Sequence, residues 1–285
     1  MAIKLVEKIA DIQEISRDAR DTGKRVGLVP TMGFLHEGHL SLVRIARSSA
    51  GLLVVSVFVN PTQFGQGEDY ESYPRDLDRD IRLLGKEGVD VVFAPAVSDM
   101  YPSGYSTYVD VENLTSVLCG RTRPGHFRGV TTVVTKLLNT VRPDFAVFGE
   151  KDYQQAAVIR RMVVDLDMGV EIILAPTVRE KDGLAMSSRN IYLTDEERED
   201  APVLYQSLLM AKRMVAAGNT DADGVKAAVR RMIGMKDTAA VDYVSVVHPE
   251  TLKEVDKIDG EAVVAVAVRF GRARLIDNIR VGERS

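Results

Sequence analysis

The chain has 285 residues, 45% hydrophobic and 27% charged, an ordinary globular composition that favours about two domains. Lys plus Arg number 37 against 41 Asp plus Glu, and the net charge of −4 gives no general attraction to nucleic acid or an acidic membrane surface. A single cysteine, Cys119, excludes an internal disulfide, argues against a cysteine zinc site, and reads as a small buried thiol rather than a nucleophile.

In chain order, residues 1–20 carry charges throughout and show no signal-peptide pattern. No apolar run approaches the ~18 residues of a membrane helix, so the expected compartment is the cytoplasm. Residues 25–30 read as a short buried strand. Residues 38–49 read as a helix with Leu42, Val43, Ile45 and Ala46 as its apolar stripe. The β-branched run 52–60 is the kind of strand expected when both faces are covered. A helix over 76–87 stops at Gly88, and a strand follows over 89–94. Helix 129–141, strand 145–149, helix 153–166 and strand 170–175 continue the alternation. This order predicts an α/β fold: a Rossmann-like, doubly wound parallel sheet with helices on both faces. Such sheets bind ligands beyond the carboxyl ends of their strands, where strand order reverses. Chemistry is therefore sought after Val29, Val59 and Phe148.

Past about Pro176 the texture changes. Residues 181–190 form a polar loop with Gly183 and two serines. Thr194 and Glu197 make a capping box, so the acidic residues 195–200 read as the solvated first turn of one helix over 195–217. A helix over 221–233 and strands over 241–247, 262–268 and 273–277 complete a smaller C-terminal α+β domain. The expected domains are 1–177 and 178–285.

The strongest chemical signal is Pro30-Thr31-Met32-Gly33-Phe34-Leu35-His36-Glu37-Gly38-His39, which follows a strand and enters a helix. Gly33 and Gly38 let backbone approach a ligand, the helix N-terminus offers N–H groups to an anion, and His36 and His39 can donate to phosphate. A metal reading of the two histidines is weaker, because no cysteine or further histidine sits nearby in sequence to complete a shell. Neither a P-loop nor a G-x-G-x-x-G fingerprint is present. A second segment, Met186-Ser187-Ser188-Arg189, offers two hydroxyls and a guanidinium suited to developing phosphate charge. Asn60, Gln63 and Gln155 place amides near predicted strand ends, fit for the hydroxyls and carboxylate of a small polar substrate. Lys151 is a point charge suited to phosphate, and Asp152 reads as a helix N-cap or a ribose contact. Together the two phosphate-binding segments resemble the signature elements of the nucleotidylyltransferase superfamily.

The resemblance narrows with Asn60-Pro61-Thr62-Gln63-Phe64, with residues 123–130 (RPGHFRGV) and with Gly149-Glu150-Lys151-Asp152-Tyr153-Gln154-Gln155. With the two segments above, these run in order over nearly the whole chain and look like the pantothenate synthetase (pantoate–β-alanine ligase) family. That resemblance implies condensation of (R)-pantoate with β-alanine through a pantoyl-adenylate, with ATP as a substrate, Mg2+ on its phosphates, and a homodimer. It implies ATP contacts from Met32, Gly33, Phe34, Leu35, His36, Glu37, Gly38 and His39, from Gly149, Glu150, Lys151 and Asp152, and from Val178, Met186, Ser187, Ser188 and Arg189. His39, His36, Lys151, Ser187, Ser188 and Arg189 are the expected catalytic set, with His39 as the family's assigned proton donor. Gln63 is expected to meet pantoate near β-alanine, Gln155 to meet pantoate, and Asn60 to support the acyl site. Arg123 and His126, in a Gly/Pro-bounded loop, are candidates for lining the amine site. Asp78 and Asp80 are weighed as help for magnesium, but no metal ligand is assigned, and His248 reads as structural. Residues 178–190 are expected to act as hinge and clamp. Another nucleotidylyltransferase and a non-catalytic nucleotide-binding regulator are the alternatives.

Overall fold

A computed structural model of the chain describes residues 3–282. The outermost residues of the two expected domains, 1–2 and 283–285, lie outside the described residues. The chain divides into two compact units. One comprises Met1–Thr115, Gly120–Glu150 and Gln155–Pro176, the other Ser116–Cys119, Lys151–Gln154 and Thr177–Ser285.

The first unit holds a six-stranded parallel sheet made of β1 (Lys4–Val6), β2 (Val26–Thr31), β3 (Leu52–Val57), β4 (Val91–Phe93), β5 (Phe145–Gly149) and β6 (Glu171–Ala175). Its spatial order is β1-β4-β3-β2-β5-β6, so the direction of winding reverses between β2 and β5. The helices are α1 (Ile9–Asp21), α2 (Glu37–Arg47), α3 (Leu77–Lys86), the single turns α4 (Val97–Met100) and α5 (Cys119–Thr122), α6 (His126–Val141) and α7 (Tyr153–Asp165). Alternation along the strands explains the layering. Val29, Leu53, Val55 and Val147 join Leu40, Val43 and Ala46 of α2 and Leu84 of α3 in one core. Leu28 and Val54, one residue out of phase and paired in register, are equally buried on the opposite side, and α1 and α6 pack on each other and on β2. Each such side chain contributes roughly 1.5–3 kcal/mol by leaving water.

The expected elements differ in detail. Neither β1 nor α1 was anticipated: β1 is three residues long, and Lys8 at the N-cap of α1 makes no side-chain cap. The run 52–60 leaves the sheet after Val57, because Asn60 and Pro61 open a 3-10 turn (Pro61–Gln63). The helix expected at 129–141 begins at His126, so His126 lies in the first turn of α6 and not in a loop.

In the second unit, β7 (Ala239–Val247), β8 (Ala262–Phe270) and β9 (Ala273–Val281) form an antiparallel sheet. Its helices are α8 (Asp195–Asp200), α9 (Val203–Ala216) and α10 (Ala222–Ile233). Leu204, Leu208, Val225 and Val229 share a core with Val244, Val264, Val266 and Leu275. The capping box forms, with Thr194 N–H donating to Glu197 at 2.9 Å and Glu197 N–H to Thr194 Oγ1 at 3.3 Å. The single helix expected over 195–217 is divided at Ala201-Pro202, because proline supplies no N–H and α9 starts afresh behind it.

Two short stretches from within the first unit's sequence are bonded into this one. Gln154 takes the N–H of Cys119 (3.0 Å) and donates to Val117 C=O (2.7 Å). The Cys119 thiol is buried, 3.2 Å from Tyr243 Oη and 3.4 Å from Arg274. His248 Nδ1 accepts the N–H groups of Glu250 (3.2 Å) and Thr251 (3.3 Å), which shapes the turn after β7.

Candidate active site

The turn between β2 and α2 is built from the inside. Thr31 Oγ1 donates to Ser56 C=O across the sheet (2.8 Å) and accepts Gly33 N–H (3.2 Å). Gly33 and Phe34 follow in left-handed conformations, with φ of 81° and 50°. A Cβ on Gly33 would lie 2.8 Å from Val57 and 3.0 Å from Asp80, so glycine is required for space as well as for angle. Asp80, buried on α3, accepts the N–H of Phe34 at 2.7 Å and of Leu35 at 2.8 Å. Burial pushes the Asp80 carboxyl up, against the two backbone N–H groups that pull it down. Asp80 thus serves the backbone of the turn. Among the described residues no three His, Cys, Asp or Glu side chains gather as a metal cage.

His36 is the N-cap of α2, and its C=O accepts the N–H of His39 (2.8 Å) and Leu40 (3.1 Å). The His36 N–H in turn donates to His39 Nδ1 at 3.4 Å, and the two rings lie with centroids 4.1 Å apart. An accepting Nδ1 puts the proton of a neutral His39 on Nε2. Glu37, in the same turn, is exposed and ion-paired with Arg44, which also holds Glu87 at 2.6 Å; the Arg44 hydrogen bond lowers the Glu37 carboxyl. At the end of β5, a Cβ on Gly149 would touch Leu42 of α2 at 3.9 Å, so the end of this strand lies against α2 within the unit. Glu150 begins a 3-10 turn (Glu150–Asp152) that runs directly into α7.

After β3, Asn60 is a buried hub. Its Oδ1 accepts from Thr62 Oγ1 (2.9 Å), Thr62 N–H (3.4 Å) and Tyr101 Oη (2.8 Å). Its Nδ2 donates to Gly129 C=O and to Gln63 Oε1, both at 3.1 Å. Asn60 therefore holds the Gln63 side chain, whose Nε2 faces Met32 Sδ at 3.0 Å. Gln63 C=O accepts from His126 Nδ1 (2.7 Å) and Arg123 (3.3 Å). Of the adjacent glutamines, Gln154 is buried in second-unit bonds, whereas Gln155 is half-buried in the first unit. Asp80 was weighed for magnesium and not as the support of this turn, and Glu68 and Tyr101 were missed; each meets its partners only through the fold, from segments distant in sequence.

The other expected nucleotide ligands belong to the second unit. Residues 178–186 form a hairpin that overlaps the polar loop expected over 181–190: Met186 N–H reaches Val178 C=O (3.0 Å), and Arg179 pairs with Ala185. Arg179 holds both oxygens of the buried Asp277 (2.6 and 2.9 Å) and lies 3.7 Å from the centroid of the Tyr205 ring. Arg198 grips Glu180 (2.5 Å) and Asp182 (2.6 Å). Ser187 caps a 3-10 turn (Ser188–Tyr192), accepting Arg189 N–H at 3.2 Å, and Ser188 is buried. Asn278, beside Asp277 on β9, donates to Lys151 C=O at 2.9 Å, so one strand anchors both the hairpin and the Lys151 turn. Lys151 Nζ lies 3.7 Å from Asp152.

Residues 4–280 match the family model described as Pantoate-beta-alanine ligase. The pantothenate synthetase of Acetivibrio thermocellus is 56% identical over 98% of this chain and 99% of its own length. A crystal structure of pantothenate synthetase from Thermus thermophilus superposes with a TM-score of 0.93, at 48% identity, covering 98% of this chain and all (100%) of that one. The pantoate-beta-alanine ligase of Francisella tularensis, crystallised with a β,γ-ATP compound and β-alanine, gives a TM-score of 0.81 at 35% identity, over 98% of this chain and 97% of its own. With the Met32–His39 turn at the winding reversal and the later motifs in order, the chain belongs to the pantoate–β-alanine ligase family.

Proposed function

We propose that this protein joins (R)-pantoate to β-alanine, converting ATP to AMP and pyrophosphate. The observation that carries the reading is family membership over residues 4–280, with the two-histidine turn at the end of β2. A carboxylate is a poor acyl donor because its leaving group would be oxide. In the first step a pantoate carboxylate oxygen attacks the α-phosphorus of ATP, and pyrophosphate leaves. In the second, the free amine of β-alanine attacks the acyl carbon, the bond to AMP breaks, and the amine loses a proton as the amide forms.

The roles proposed for individual residues are those the family resemblance implies, and the chemistry of the phosphate-binding side chains is compatible with them. His39 Nε2 and His36 provide donors to the phosphates, and Lys151, Ser187, Ser188 and Arg189 add charge and hydrogen bonds as pyrophosphate departs. Met32, Gly33, Phe34, Leu35, Glu37, Gly38, Gly149, Glu150, Asp152, Val178 and Met186 complete the ATP contacts. Gln63 and Gln155 bind pantoate, with Gln63 beside β-alanine and Asn60 behind it. Magnesium arrives on the triphosphate as part of the substrate, consistent with its preference for phosphate oxygens and retained water. A homodimer in the cytoplasm completes the proposal. Among the described residues no helix is long and apolar enough to cross a membrane.

The test is pyrophosphate release from ATP, magnesium and pantoate, with and without β-alanine, followed by product analysis. Amide and AMP in equal amounts are expected. A nucleotide-linked product would indicate another nucleotidylyl transfer, and ATP binding without pantoate-dependent turnover would indicate a regulator.

A further inference from the structure

Arg123 and His126 were candidates for the amine site, yet their hydrogen bonds converge on the backbone of Gln63. The Arg123 guanidinium binds Glu68 through Nε (2.7 Å) and Nη2 (2.6 Å), and Nη2 also reaches Gln63 C=O (3.3 Å). Its Nη1 lies 3.0 Å from His126 Nε2. A guanidinium can only donate, so His126 Nε2 accepts, and the imidazole carries its proton on Nδ1. That Nδ1–H is the group 2.7 Å from Gln63 C=O. The tautomer is thus imposed from one side and used on the other. Glu68 completes the chain: burial raises its carboxyl, but the Arg123 hydrogen bonds and charge outweigh burial and hold it at about 2.

Further contacts show that this is a seat built for Gln63. A Cβ on Gly129 would fall 2.3 Å from Thr62 C=O, so the first turns of α6 press directly on the Pro61–Gln63 turn. Asn60 Nδ2 bridges Gly129 C=O and Gln63 Oε1, and Gln63 Nε2 faces Met32 Sδ. Backbone and amide of Gln63 are therefore each fixed by their own partners.

We infer that Glu68, Arg123 and His126 are positioning residues that act through the Gln63 carbonyl to orient the amide used in forming the acyl-adenylate. The inference rests on the ligase reading. Its distinguishing feature is the step affected: a direct amine contact serves only the second half-reaction, whereas Gln63 serves the first. Displacing a reacting group by about 1 Å can lower a rate by ~10²-fold, so a loosened Gln63 should be visible in adenylation.

The experiment is pantoate-dependent exchange of labelled pyrophosphate into ATP, with β-alanine omitted. Glu68→Gln, which removes the charge that orients Arg123, should raise the pantoate KM ~10-fold while leaving the ATP KM unchanged. Arg123→Lys should do the same, since one ammonium cannot replace the fork that reaches Glu68, His126 and Gln63. His126→Asn, which keeps a side-chain amide donor, should retain most of the exchange that His126→Phe loses. Folding of each variant is checked by near-UV circular dichroism. Wild-type exchange kinetics in Glu68→Gln and Arg123→Lys, with a raised β-alanine KM only in the full reaction, would overturn the inference and make Arg123 an amine ligand. Absence of pantoate-dependent exchange in the unmodified protein would overturn the ligase reading itself.

Discussion

Asp80 holds the N–H of Phe34 at 2.7 Å, and in doing so keeps an aromatic residue in the left-handed region, at φ 50°. That conformation costs a bulky residue of order 1–3 kcal/mol and persists only where its surroundings impose it. Here the surroundings are a buried carboxylate that also binds Leu35, a glycine with no room for a side chain, and the Arg79 guanidinium 5.1 Å from the Phe34 ring centroid. The strain sits at the entrance to the helix that presents His36 and His39.

Asp80→Asn should disturb this turn while keeping the fold. One carboxylate oxygen becomes an NH2 facing a backbone N–H, so one buried donor loses its acceptor. A loss of about 1–3 kcal/mol in urea unfolding is expected, with the slope unchanged. Adenylation should fall ~10-fold or more as the donors lose their preorganisation. Full activity in this variant would show that the turn does not depend on Asp80.

For His39 the two ring nitrogens predict different outcomes. Nδ1 receives the His36 N–H at 3.4 Å, which puts the proton of a neutral ring on Nε2, the nitrogen proposed to meet phosphate. His39→Ala should lower turnover by ~10²-fold or more, as for loss of one preorganised donor. His39→Gln, whose amide reaches as far as Nε2, should recover more activity than His39→Asn. Equal activity in the two would reject the tautomer.

Stability in acid should report on Glu68. Its carboxyl lies at about 2 in the fold against an ordinary 4.5, so the ionised form favours folding. The contribution is fully present above 4.5 and is lost as pH falls toward 2. Urea midpoints of the unmodified protein and of Glu68→Gln should therefore differ most near neutrality, draw together as pH falls below 4.5 and converge as it passes about 2. A gap that does not change with pH would disprove the linkage.

Asp277→Asn tests the anchor of the 178–186 hairpin. The residue is buried to 1% side-chain exposure and paired in both oxygens with Arg179. Removing its charge leaves the guanidinium poorly matched, with an expected loss of about 3 kcal/mol. Hydrogen exchange should accelerate at Glu180 and Met186, whose N–H groups close the hairpin. Unaltered protection there would mean that the Arg198 pairs suffice.

Much of the frame was legible from residue pattern. The buried runs of β2, β3 and β5, the glycine stop after α3 and the Thr194 capping box are local signals, and they lead to the observed elements. Where reading failed, the determinants were short or distant. A three-residue strand such as β1 has too few positions for periodicity, and the break at Pro202 was passed over because the capped acidic turn 195–200 leads straight into the apolar residues of 203–216. The motif segments stood out because glycines, histidines and amides cluster in them. Their supports did not: Asp80 lies 46 positions from Phe34, and Glu68 lies 55 from Arg123. Nothing in a carboxylate's local sequence reveals which distant N–H or guanidinium it will meet.

The bonds that draw Gln154, Cys119 and Lys151 into the sheet unit of β7–β9 bear on how the chain can be divided. A polypeptide begun at Thr177 would leave those three residues behind, and with them the Gln154 bridge and the carbonyl that Asn278 binds. The carboxy-terminal third is thus no interchangeable cassette. Grafting it onto a different nucleotide-binding sheet would also require transplanting two tetrapeptides, 116–119 and 151–154, into the recipient.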